Sequence, residues 1–128
     1  MDRLSDKPVV LCVDDDPLVL RSLERELRHE PVEVLSTLHP EVALRWVEEH
    51  DVAVLLTDQR MPGMSGTQLI EEVLECSPNT TCVLLTAYPR DTAVIPSFGN
   101  GTYGLIPKPW DGPMLQSTVR RILREEER

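Results

Sequence analysis

At 128 residues the chain has the length of one domain and enough material to close a hydrophobic core. Its 41% hydrophobic and 27% charged residues form an ordinary globular mixture, which excludes a disordered or fibrous class. A formal net charge of −9 argues against a surface that grips nucleic acid directly, since phosphate contacts need clustered Lys and Arg, yet it suits a concentrated acidic site that recruits a cation.

In chain order, the first apolar run is "PVVLCV" (8–13). It is nearly continuous in large aliphatic residues, as expected for a parallel strand covered on both faces. It ends in "DDDP", where Asp16 before Pro17 reads as an N-cap followed by proline at the first helical position. A helix over 17–29 follows, with Val19, Leu23 and Leu27 on one face and Leu20 beside them. The second strand is "VEVLST" (32–37), and a helix over 40–50 follows with Ala43, Leu44 and Val47 aligned. The third strand, "VAVLLT" (52–57), runs into "DQRMPGMSG", whose Pro62 and glycines serve turn geometry. Met61 and Met64 are read as packing residues. The helix over 66–76 aligns Leu69, Ile70, Val73 and Leu74.

The fourth strand, "TTCVLL" (80–85), leads to "TAY" and then to 89–102, where Pro96 sits in the expected fourth helix. A proline inside a helix costs about 3 kcal/mol, so that helix is expected to be short, kinked or irregular. The fifth strand, "YGLIP" (103–107), precedes "KPW", and a last helix over 111–126 stacks Leu115, Val119 and Ile122 before the charged run "REEER". Strand and helix alternate throughout, the pattern of a doubly wound α/β domain with right-handed crossovers.

Cys12 and Cys82 lie in apolar runs and are expected to be buried and inert. With Cys76 they make an odd number without CxxC spacing, so neither a disulfide framework nor a zinc site is indicated. His29, His39 and His50 fall near helix ends with no catalytic partner in view. No P-loop or GxGxxG occurs. The apolar runs are too short to cross a bilayer and no signal segment opens the chain, so a cytoplasmic location without membrane contact is expected.

In an open α/β sheet, ligands bind beyond the carboxyl ends of the strands. There this chain places Asp14 and Asp15 after the first strand, Asp58 after the third, Thr86 after the fourth and Lys108 after the fifth. Three acids, a hydroxyl and an ammonium thus converge on one edge. Each has a bland reading alone, as a cap, a turn residue or a solvated lysine; together they point to one site.

With "VDDDP", "TDQRMPGMSG", "LLTAY" and "KPW" in this order and spacing, the chain resembles the receiver domain of two-component response regulators along essentially its whole length. The resemblance implies a flavodoxin-like (βα)5 fold with a five-stranded parallel sheet of order 2-1-3-4-5. Residues 1–128 would form one domain, with 1–7 a flexible tail and 120–128 the end of the last helix and a start of a linker to an effector domain. Asp58 would be the phospho-acceptor, forming an acyl phosphate. Asp14, Asp15, Asp58 and the backbone carbonyl of Arg60 would hold Mg²⁺, Asp14 through a water. Thr86 and Lys108 would each meet a phosphoryl oxygen.

The implied partners are a histidine kinase or phosphotransfer protein, an effector domain, and a second copy of the chain through the 86–126 face. In switching, Thr86 and the position three before the lysine would respond. That position commonly holds an aromatic residue but here is Leu105, and Trp110 replaces the commoner Phe. Two rivals are a degenerate receiver acting as a phosphate-independent interaction module and a metal-dependent aspartyl phosphatase. The phosphatases carry an acid two residues after the nucleophile, where this chain has Arg60.

Overall fold

In the computed structural model the residues described are 7–87 and 102–126. The order is β1 (Val9–Val13), α1 (Pro17–Leu27), β2 (Glu33–Thr37), α2 (Pro40–Glu49), β3 (Val52–Asp58), α3 (Gly66–Cys76), β4 (Thr81–Thr86), β5 (Thr102–Pro107) and α4 (Gly112–Glu126). The five strands form one sheet of order β2-β1-β3-β4-β5, and all four pairings are parallel. The expected doubly wound sheet is therefore observed. The irregular helix expected around Pro96 and most of the N-terminal tail fall outside the described residues.

Alternation along the strands builds two cores, one on each face of the sheet. Val10, Cys12, Val54, Leu56, Val83, Leu85 and Ile106 meet Leu20, Leu23 and Leu27 of α1 and Leu115, Val119 and Ile122 of α4. On the other face Val9, Leu11, Val13, Leu55 and Leu84 meet Ala43 and Val47 of α2 and Leu69, Ile70 and Val73 of α3. Each fully buried Leu, Ile or Val contributes about 1.5–3 kcal/mol relative to exposure, so both faces hold the sheet between helices. Cys12 and Cys82 are buried, and burial pushes each thiol up to about 12, which makes them inert packing residues. Met61 and Met64 pack against the α2–α3 side. His29, His39 and His50 are exposed. No helix among the described residues is long and apolar enough to cross a membrane.

The helix starts place the strand ends. Asp16, in extended backbone, accepts a hydrogen bond from the Leu18 amide at 2.9 Å, and Pro17 opens α1. Ser65 and Gln68 form a reciprocal capping box on α3. A register shift opposite Val9 and Val10 turns Val52 and Val54, two residues apart, to opposite faces. A second shift lies at Cys82 and Val83, opposite Gly104 with φ +114°.

Candidate phosphoryl-acceptor site

Asp58 is the last residue of β3 and Thr86 the last of β4, while Asp14 follows β1 and Lys108 follows β5. Because the strands are parallel, all four stand at one edge, beside the break in strand order between β1 and β3. One carboxylate oxygen from each of Asp14, Asp15 and Asp58 lies within 4.8 Å of the others; Asp14 and Asp58 are buried and Asp15 is exposed. Asp16 is outside this group and caps α1.

Like charges this close need compensation. The Lys108 ammonium supplies it, donating to Asp14 Oδ2 at 2.7 Å and to Asp58 Oδ1 at 3.1 Å. The Asp16 amide donates to Asp14 Oδ1 at 2.9 Å, so both oxygens of the most buried acid are occupied. Burial pushes Asp14 above the ordinary carboxylate value, and the Lys108 bond and the Asp16 amide only partly offset it. Burial also opposes the Lys108 charge, but the bonds and attraction to Asp14 and Asp58 outweigh it and hold the ammonium above its ordinary value. The lysine end is tied to the sheet, its amide donating to the Thr86 carbonyl at 2.9 Å.

The site residues named from sequence thus divide. Asp14, Asp15, Asp58 and Lys108 come together through their side chains, and Thr86 stands buried at the same edge, beside Pro107 in the ladder. Arg60 follows in the β3–α3 turn, exposed. Leu105 lies within β5, half-buried against the α2–α3 core and three residues before the cluster. Nothing in residue order marks Gln59, which is 8% exposed and bonded through its side chain to Thr67. A glutamine after a strand end has no periodicity or spacing to mark it. Gly66 also differs from its reading as a turn glycine: a Cβ there would collide with the Asp58 carbonyl, so it serves close packing.

The family model for the response regulator receiver domain matches residues 10–120. The chain belongs to that family. A curated relative, the hydrogenase transcriptional regulatory protein HoxA of Cupriavidus necator, is 33% identical over 96% of this chain but 26% of its own length. The DNA-binding transcriptional regulator NtrC of Proteus hauseri is 30% identical over 89% of the chain and 24% of its own length. The receiver therefore spans about a quarter of the curated relatives it matches. A response regulator receiver domain protein (CheY-like) from Methanospirillum hungatei superposes with a TM-score of 0.87 at 26% identity, covering 95% of this chain and 98% of that one. Receivers are signalling domains of two-component systems, and this chain is one of them.

Proposed function

We propose that the domain, read as one receiver over 1–128, is a phosphorylation-dependent switch whose acceptor is Asp58. The observation that carries this reading is the paired geometry of Lys108, which holds a buried carboxylate, Asp58, next to two further acids at an open sheet edge. A cluster of hard oxygen donors fits Mg²⁺, which takes carboxylates and retains several waters. Asp14, Asp15, Asp58 and the Arg60 carbonyl would hold it, and when bound it would neutralise charge on the transferring phosphoryl group.

In the proposed reaction an Asp58 carboxylate oxygen attacks phosphorus in line with the departing imidazole of a histidine kinase or phosphotransfer protein. The O–P bond forms as the N–P bond breaks, leaving an acyl phosphate on Asp58. Lys108 shifts its ammonium from Asp58 to a phosphoryl oxygen, and the Thr86 hydroxyl donates to another. Beside Lys108 lies a groove of about 480 Å³, lined by apolar residues such as Leu18 and Trp110 and by Arg25 and Glu26. The phosphatase reading is not favoured, since Arg60 stands where its acid is needed, and the full acid–hydroxyl–lysine set speaks against a degenerate receiver.

Phosphorylation would bias 86–110 through its contacts with Thr86 and Lys108. By likeness to transcriptional regulators four times as long, the output would pass to an effector domain, with pairing of two copies through the 86–126 face. The test is incubation with acetyl phosphate and Mg²⁺ followed by intact mass. One phosphoryl adduct is expected on the wild type and none on Asp58→Asn; an adduct on the mutant would overturn the assignment.

A further inference from the structure

Asp58 and the helix that follows it are joined by a closed ring. The Gly66 amide donates to the Gln59 carbonyl at 2.9 Å, and the Thr67 amide donates to the Gln59 Oε1 at the same distance. The Gln59 Nε2 reaches the Thr67 hydroxyl at 3.5 Å, which in turn lies 3.0 Å from the capping hydroxyl of Ser65. One side chain, nine-tenths buried, thus satisfies the Thr67 amide in the first turn of α3 and fastens that turn to the residue next to Asp58. Gly66 packs so near the Asp58 carbonyl that a Cβ there would collide with it, and the Thr57 hydroxyl donates to the same oxygen at 3.0 Å. The backbone of Asp58 is therefore held from both neighbours and from α3.

We infer that Gln59 is a positioning residue for the cation site. Resting on the reading proposed above, it acts through the backbone, keeping the Asp58 carboxylate within reach of Asp14 and Asp15 and fixing the start of the loop that carries Arg60. A cation binding three carboxylates on separate elements needs them preplaced, and residues that orient ligands without touching the metal typically change affinity 10–100-fold when lost. Gln59→Met keeps length and volume and removes both bonds to Thr67.

The experiment is a Mg²⁺ titration of the full chain followed by amide shifts at Asp14, Asp15 and Asp58, with Val73→Ala, buried on the same helix, as a variant that weakens α3 alone. Gln59→Met should raise the Kd about tenfold, while Val73→Ala should lower the melting temperature and leave the Kd within about twofold. If Gln59→Met does not fold, Gln59→Asn carries the same expectation, because its amide falls one methylene short of Thr67. A Gln59 variant within about twofold of wild type overturns the inference, as does an equal loss in Val73→Ala. A wild type without any Mg²⁺ response at these three residues overturns the proposed function itself, so the two failures are distinguishable.

Discussion

Two turns deliver the two oppositely charged halves of the site, and they are held in different ways. The β3–α3 turn, which follows Asp58, is closed by backbone: Gly66 opens α3 against the Asp58 carbonyl and the Leu84 side chain, with Gln59 and the capping box completing the ring. The β5–α4 turn, which carries Lys108, is tied to β4 by one backbone bond, the Lys108 amide to the Thr86 carbonyl at 2.9 Å, and the helix after it is docked on α1 by side chains. Gly112 opens α4 under the Glu26 carboxylate of α1, and Gln116 donates to the Glu26 carbonyl at 2.8 Å. Further along, Arg120 forks onto Glu30 at 2.7 and 2.8 Å. Asp58 is thus framed mainly by backbone contacts, while the helix after Lys108 is docked mainly through side chains. Under the proposed function this division would matter, since Asp58 would stay in place while Lys108 exchanged a carboxylate for a phosphoryl oxygen.

The two glycines give the sharpest way to break the comparison. Gly66→Ala drives a Cβ into backbone and should cost about 2–3 kcal/mol by urea unfolding, as overpacking of a closed site does. Gly112→Ala meets only the end of the flexible Glu26 side chain. Its better helix propensity, worth up to about 1 kcal/mol, should nearly cancel the cost of moving that carboxylate. Equal losses in the two variants would remove the distinction between the turns.

A smaller effect is expected from Lys108→Met, which leaves Asp14 and Asp58 facing each other without a cation. Fully buried pairs lose about 3–5 kcal/mol when broken, but Lys108 keeps 18% exposure, so about 1–2 kcal/mol is expected. The pH dependence has a definite sign. The folded-state pKa of Lys108 is raised, so its contribution is complete below the unfolded value of about 10.4 and is lost as pH rises through the folded one. The stability gap between wild type and Lys108→Met should therefore stay level from pH 7 to about 10 and close above that. A gap unchanged in strong alkali would show that packing, not charge, sets it.

The smallest effect should come from Leu105→Tyr. Leu105 packs half-buried on the α2–α3 side of β5, away from the acid cluster. Phosphorylation by acetyl phosphate should stay within about a factor of two, or ~0.4 kcal/mol in the barrier. A tenfold slowing would place this side chain in the acceptor site after all.

Much of this was legible from residue order, because it depends on local physics. Continuous aliphatic runs mark strands covered on both faces, Asp16–Pro17 marks a helix start, and parallel strands must present their carboxyl ends together. Residue order alone therefore places Asp14, Asp15, Asp58, Thr86 and Lys108 on one edge. Periodicity cannot see the rest. The run "VAVLL" (52–56) is apolar at every position, so nothing in it reveals the register shift that separates Val52 from Val54. Gly66 and Gly63 read alike as turn glycines, yet Gly63 is needed for its φ of +84° and Gly66 for the oxygen pressed against it. Nor does the sequence say that Gln59 turns back to Thr67, or that Lys108 holds Asp14 as well as Asp58. Local pattern determined which elements form and which edge carries the acids; close packing and long-range hydrogen bonds, which arise only once distant elements meet, decided which partners hold each of those groups.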